Sequence, residues 1–163
     1  MRVPTKLWDN RPIVKVEKII LHDPGNNQTA AQLIAWLNSP KNTHCVGYHD
    51  IIEGHEIYNF TPHNLRAVHA GCFYPTELWD RGRTGTQNAY SIGICVTRQL
   101  QDWDYVGKYL ERLCARHDLH PMDDVLCHFQ INPDKSDPQR WYGRLVEFRD
   151  WLAMIATGGQ ITI

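Results

Sequence analysis

Two histidines share one local pattern at widely separated places in the chain. His22 follows the apolar run Ile19–Leu21, and His128 follows the apolar run Val125–Cys127. A short apolar run of this kind is typical of a buried strand, whose end opens at the edge of a sheet. If the two strands lie near each other, both imidazoles meet at one edge and form a candidate metal site. The alternative is a pair of unrelated histidines with satisfied hydrogen bonds.

The loop after His128 offers a carboxylate and an ammonium group. Pro133 and Pro138 favour an extended backbone around Lys135 and Asp137. Residues two apart in an extended segment point the same way, so these two side chains are expected to project together. Two imidazoles and one carboxylate, with a fourth position left open, form a catalytic zinc pattern. Lys135 beside such a site could stabilise an oxyanion. The alternative is that both residues are solvated loop charges.

Three further polar side chains are candidates for the same edge or for the core. The run from Val46 to Ile52 predicts a strand, in which Tyr48 presents its hydroxyl at the sheet rim as a hydrogen-bond donor. His49, on the other face of that strand, is predicted to be a core histidine. His69 is a candidate third imidazole that would compete with Asp137 as a ligand, and the residues alone leave this open.

Alternating apolar patterns predict the elements that must position these groups. The patterns predict a central mixed β-sheet flanked by helices, an α/β fold in one domain over residues 1–156. A Gly-rich tail or a truncated linker is expected over residues 157–163. Strands are predicted at 18–23, 46–52, 56–60, 66–68, 91–97 and 125–128, and helices at 29–37, 102–117 and 140–155.

Residues 72–90 contain one proline, two glycines and little periodicity, which indicates a long loop. Trp79, Arg81, Arg83 and Asn88 lie in it. The loop is interpreted as one wall of a binding groove, and a mobile surface loop is the alternative.

Composition excludes several other classes of protein. The net charge is -1 and no block of Lys or Arg is present, so a nucleic-acid partner is not expected. No apolar run approaches the roughly 18 residues needed to cross a bilayer, and no secretory signal is recognised in residues 1–12. The five cysteines are scattered at positions 45, 72, 95, 114 and 127, without a CxxC pair. They are interpreted as reduced thiols, with Cys95 and Cys127 packed in the core and a disulfide as the less favoured alternative.

Five motifs in a fixed order point to a known family. They are the strand ending in His22, then 46–49 (VGYH), 68–71 (VHAG), 88–94 (NAYSIGI), and finally His128 with 135–138 (KSDP). In this order the chain resembles the type 2 zinc-dependent N-acetylmuramoyl-L-alanine amidases. That family includes T7-type phage lysozymes, bacterial muropeptide-recycling amidases and animal peptidoglycan recognition proteins. The resemblance extends from Lys18 to about Trp151.

The resemblance implies a role for each matching residue. A Zn²⁺ ion would be held by His22, His128 and Asp137. Tyr48 and Lys135 match catalytic positions, and His69 and Asn88 match positions that line the substrate groove. The implied reaction is hydrolysis of the bond between the lactyl group of N-acetylmuramic acid and L-alanine in peptidoglycan.

The chain departs from the family pattern at one position. Several members carry a catalytic Glu after Ser-Ile-Gly-Ile, where this chain has Cys95. A buried neutral thiol is a poor general base, so the chain is more similar to the branch that relies on Tyr48 and Lys135. Glu53 and Asp50 are weak alternatives as the proton acceptor.

The expected role is a phage or prophage endolysin that acts as a monomer. Without a signal peptide it would be made in the host cytoplasm and released to the wall through a holin. One alternative is a module that binds peptidoglycan without cutting it, and another is a cytosolic amidase that recycles small muropeptides. A non-enzymatic globular protein with scattered histidines leaves the ordered motifs unexplained.

Overall fold

The computed structural model describes residues 11–43, 46–70 and 87–158. Five strands form one sheet in the order β3-β2-β4-β1-β5. The strands are β1 Lys18–His22, β2 Asp50–Glu53, β3 Glu56–Asn59, β4 Ser91–Val96 and β5 Val125–Cys127. β1 runs parallel to both β4 and β5, and only the edge strand β3 pairs antiparallel, with β2. The predicted mixed sheet is therefore confirmed.

Helices cover both faces of this sheet. They are α1 Ala30–Leu37, α2 Trp103–His117, α3 Pro121–Asp124, α4 His128–Ile131 and α5 Leu145–Ala156, with a 3-10 turn at Gln87–Ala89. Ile19 and Leu21 of β1 belong to the core that contains α2 and α5. α1 packs in a separate cluster with Ile51 and Cys95. Because side chains alternate along a strand, Ile20 and His22 point away from the α2–α5 core.

α1 begins with a complete capping box. The Thr29 hydroxyl accepts the Gln32 backbone N–H, and the Gln32 side chain accepts the Thr29 backbone N–H. Both bonds satisfy N–H groups that the first helical turn leaves unpaired. Ala30, Leu33 and Leu37 are buried along one face. The helix is thus fixed beside the sheet edge where His22 ends β1.

Several predicted elements differ from those observed. β2 begins at Asp50, so Tyr48 precedes the strand. The Gly47 N–H donates to the Val68 carbonyl, and backbone bonding to β4 begins only at His49, whose N–H donates to the Gly93 carbonyl. No strand forms at residues 66–68, where the described chain has only an isolated bridge between Pro12 and Leu65.

The C-terminal helix also differs from the prediction. α5 begins at Leu145, because Gly143 takes a φ of +76° and interrupts the turns before it. Leu145 is exposed, and the buried face of α5 consists of Phe148, Trp151, Leu152 and Ile155.

Three of the five cysteines lie in the described part of the chain. Cys95, Cys114 and Cys127 are buried free thiols, as expected, whereas Cys45 and Cys72 lie outside the described residues. The predicted groove-wall residues Trp79, Arg81 and Arg83 also lie outside them. Among the helices described, none is both long and apolar enough to cross a membrane.

Candidate metal centre and groove

The two histidines that end apolar runs are brought to one edge of the sheet. β1 and β5 are adjacent and parallel, with Ile20 beside Leu126 and Leu21 beside Cys127. His22 is the last residue of β1, and His128 is the first residue of α4, directly after β5. Both side chains are buried, and their ring centroids are 4.4 Å apart. The predicted meeting of the two imidazoles is therefore observed.

Asp137 completes a cluster of three possible metal ligands. One carboxylate oxygen lies 3.0 Å from His22 Nδ1, and the other lies 2.9 Å from His128 Nδ1. One donor atom from each residue falls within 4.8 Å of the other two. The loop is held in place because the Asp137 carbonyl accepts the Phe129 N–H at 3.2 Å. Two imidazole nitrogens and a carboxylate are donors that suit zinc.

The second nitrogen of each imidazole has its own partner. His128 Nε2 lies 3.0 Å from the Ala70 carbonyl oxygen, and His22 Nε2 lies 3.1 Å from His69 Nδ1. A carbonyl can only accept, so with a metal at Nδ1 the His128 proton would be on Nε2, where the Ala70 carbonyl accepts it. The donor set therefore has the orientation that a metal requires.

Burial and mutual contacts shift the pKa values of His22 and Asp137. Burial, with the nearby His128, lowers the pKa of His22 to about 4. For Asp137, burial alone would raise the pKa, but hydrogen bonds from His128 and His22 outweigh it and hold the pKa below its usual value. A neutral imidazole and an ionised carboxylate are the forms that bind a cation.

A groove of about 710 Å³ lies over the cluster, and all three potential ligands line it. Trp36 of α1 forms part of its wall, and Lys135 lies on the loop that carries Asp137. Lys135 is exposed, with its backbone N–H bonded to the Asn132 carbonyl at 3.1 Å. Lys135 and Asp137 therefore line the same groove.

Tyr48 lies against the cluster of His22, His128 and Asp137 although it is not in a strand. Its ring centroid is 5.2 Å from that of His22, and the residue lines the groove. Burial raises the pKa of Tyr48 well above its usual value. Burial also raises the pKa of Cys95. Both groups therefore keep their protons near neutral pH.

His69 and Asn88 are buried and in contact with each other. The Asn88 side-chain oxygen accepts the backbone N–H groups of His69 at 3.1 Å and of Ala70 at 2.8 Å. His69 lines the groove, whereas Asn88 is not among the residues that line it. Contact of either side chain with substrate stays a prediction.

The two weak alternatives for the proton acceptor lie elsewhere. Asp50 is buried and accepts hydrogen bonds from Asn59, His63 and Tyr109. Glu53 accepts the first backbone N–H of α1, from Ala30. Neither carboxylate is among the described residues that line the groove. His49, as predicted, is fully buried, between the Leu65 carbonyl and the Gly93 N–H.

Sequence reasoning missed the residue next to His22. Asp23 is buried, and its carboxylate accepts hydrogen bonds from Arg98, from the Gly25 N–H and from the Gln139 N–H. It thereby joins the end of β1 to Arg98, two residues after β4, and to the Asp137 loop. The sequence signal for this role is an aspartate at the end of an apolar strand.

The matching family model is that of the N-acetylmuramoyl-L-alanine amidases, over residues 10–140. The chain belongs to this family, because the match covers most of its length. It is thus a peptidoglycan amidase by family. None of the curated proteins compared with it gives a match.

Solved structures share the fold at low sequence identity. A mutant endolysin from Bacillus subtilis is 21% identical, with a TM-score of 0.67 over 92% of this chain and 94% of that one. The catalytic domain of PlyG is 18% identical, with a TM-score of 0.70 over 94% and 88%. An AmpD derivative is 24% identical, with a TM-score of 0.64 over 92% of each chain. These likenesses extend over nearly the whole fold described above.

Proposed function

We propose that this chain is a zinc-dependent endolysin that hydrolyses the amide bond between the lactyl group of N-acetylmuramic acid and L-alanine in polymeric peptidoglycan. The observation that carries the proposal is the convergence of His22, His128 and Asp137 on the floor of one groove. Family membership supplies the bond that is cut. The chain would act as a monomer after release from the host cytoplasm.

The donor atoms are those that face one another across the cluster. His22 and His128 would hold zinc through Nδ1, and Asp137 through its carboxylate. When bound, zinc supplies a Lewis acid that polarises the scissile carbonyl and acidifies water. Groove residues within reach of this position would then bind and orient the substrate.

Lys135 and Tyr48 supply the remaining polar groups of the proposed reaction. Negative charge grows on the lactyl carbonyl oxygen as water adds, and an ammonium group on the groove wall stabilises it. Tyr48 lines the groove and keeps its proton, so its hydroxyl can donate to the substrate. The amide bond breaks as its nitrogen takes up a proton, and the L-alanine end leaves as a free amine.

The peptidoglycan-binding module is disfavoured by the donor set. A module that only binds has no need of two imidazoles and a carboxylate whose donor atoms converge. A recycling amidase would need the same donor set, so substrate size decides between that role and a lytic one.

The test is turbidity clearing of bacterial cells stripped of outer membrane, with and without a chelator, followed by mass analysis of the fragments. We expect clearing that a chelator abolishes and zinc restores, with stem peptides that begin at L-alanine. Asp137→Ala, which removes one potential ligand, is the matched variant and should fail to clear. Cleavage of small soluble muropeptides alone would assign the recycling role. Zinc-loaded protein that cleaves neither substrate would overturn the proposal in favour of the binding module.

A further inference from the structure

The Nε2 side of the His22 imidazole contacts a second buried histidine, His69. His22 Nδ1 faces Asp137, whereas Nε2 lies 3.1 Å from His69 Nδ1. The two rings meet nearly edge to face, with an interplanar angle of 86°. Both side chains are almost fully buried, so water does not compete for this hydrogen bond.

The proton on each ring nitrogen follows from the partners around it. If His22 Nδ1 gives its lone pair to a metal, the ring proton must be on Nε2, and the acceptor is His69 Nδ1. His69 then carries its own proton on Nε2, which lies 3.2 Å from Ser91 Oγ. The Ser91 hydroxyl donates onward to the Gln87 carbonyl at 2.7 Å, so its oxygen is free to accept. Each N–H or O–H in this chain donates to the next member, so all the hydrogen bonds run from His22 toward the Gln87 carbonyl.

The same short segment also orients the other histidine. The Ala70 carbonyl accepts the His128 Nε2 proton at 3.0 Å. Asn88 holds His69 and Ala70 together by accepting both of their backbone N–H groups. The dipeptide His69–Ala70 therefore supports both imidazoles of the cluster, one through a side chain and one through a carbonyl.

We propose that His69 is a positioning residue that fixes the tautomer and the ring orientation of His22, through the chain His22–His69–Ser91–Gln87 carbonyl, and thereby sets the affinity for the metal. The inference rests on the metal site of the proposed function. It assigns His69 neither as a third ligand nor primarily as a substrate contact, because its Nδ1 is engaged by His22.

The experiment measures zinc affinity by competition with a chromophoric chelator. Removal of an outer hydrogen-bond partner of a metal-bound histidine weakens metal binding by roughly 10- to 100-fold. We expect this loss for His69→Leu, which fills the space but accepts no hydrogen bond. His69→Asn, whose side-chain oxygen can take the place of Nδ1, should restore most of the affinity. The matched control is His117→Leu on α2, which should bind zinc as the parent does.

A second readout reports the tautomer directly. Nitrogen NMR of the zinc-loaded protein should show the His22 proton on Nε2 and the His69 proton on Nε2. Ser91→Ala should weaken zinc binding only a few-fold, because the Ser91 carbonyl remains 3.4 Å from His69 Nε2. This milder variant tests the chain even if His69→Leu fails to fold.

The outcomes separate this inference from the proposed function. A folded His69→Leu protein with unchanged zinc affinity, or a His69→Asn protein as weak as His69→Leu, would overturn the positioning role. Either result would leave the proposed function standing if the parent protein still binds zinc and clears cells. A parent protein that binds no zinc would overturn both.

Discussion

His22 and His128 each use one ring nitrogen for the candidate metal and the other for a fixed acceptor. The acceptor is a carbonyl for His128 and another imidazole for His22. A carbonyl dictates the tautomer by itself, whereas an imidazole does so only if its own proton is held elsewhere. The His22 side of the centre therefore depends on more residues than the His128 side.

Lys135 is an exposed cation that lines the groove, and its charge matters most when the carbonyl oxygen becomes negative. Lys135→Ala should lower kcat roughly 10²- to 10³-fold, the usual effect of removing one oxyanion-stabilising group, with little change in KM. Steady-state kinetics on a soluble muropeptide measure both constants. Lys108→Ala, at an exposed lysine of α2, is the matched control. An unchanged kcat in the Lys135 variant would remove this residue from the mechanism.

At the scale of elements, β4 leaves space for the His69 ring. A Cβ atom added at Gly93 would lie 2.4 Å from the His69 ring, a distance that forces one of them to move. Gly93→Ala should therefore lower Tm and weaken zinc binding, because His69 can no longer rest against His22. Thermal unfolding and chelator competition measure the two effects.

The control for this prediction is another glycine near the site. At Gly47 an added Cβ would meet Phe60 at 3.7 Å, an ordinary contact. Gly47→Ala should therefore retain zinc affinity close to that of the parent protein. If Gly93→Ala binds zinc as tightly as Gly47→Ala does, the fit between β4 and His69 does not matter for the centre.

The sequence predicted the strands that carry the histidines, because uninterrupted apolar runs identify buried parallel strands. It did not predict α4, where the Gln130 side chain accepts the Cys127 N–H and turns the chain into a helix directly after β5. Nor did it predict the contact between His69 and His22, which depends on the loop conformation that Asn88 holds. Local patterns identify elements, whereas contacts between loops depend on tertiary packing.

At the scale of the whole molecule, the sheet separates the hydrophobic core formed with α2 and α5 from the candidate metal centre. Ile19, Leu21 and the other inward residues pack with α2 and α5 on one face. On the other face, His22, His49 and His69 are buried. Neutral imidazoles in such an environment make the stability of the fold depend on pH, because the unfolded chain binds protons that the folded chain does not.

His49 isolates this effect, since it is not one of the proposed ligands. Burial lowers its pKa to about 4 from a usual value of 6.5. The stability that depends on neutral His49 is fully present above pH 6.5. It is lost as the pH falls toward 4, because over this range the unfolded chain takes up a proton at this position and the folded chain does not. The loss is about 3 kcal/mol, from about 1.4 kcal/mol for each unit of pKa difference. His49→Gln, which keeps a donor for the Leu65 carbonyl, should be less stable at pH 7 but lose about that much less between pH 6.5 and 4.

Urea unfolding of metal-free protein across this pH range measures the difference. The remaining histidines and Asp137 are common to both proteins, so their contributions cancel when the two curves are subtracted. Ile51→Val, a core substitution beside α1 that carries no proton, should lower stability while keeping the pH dependence of the parent protein. Parallel curves for His49→Gln and the parent would mean that His49 takes up its proton as readily in the folded chain as in the unfolded chain. The predicted acid sensitivity would then have to come from the other buried histidines.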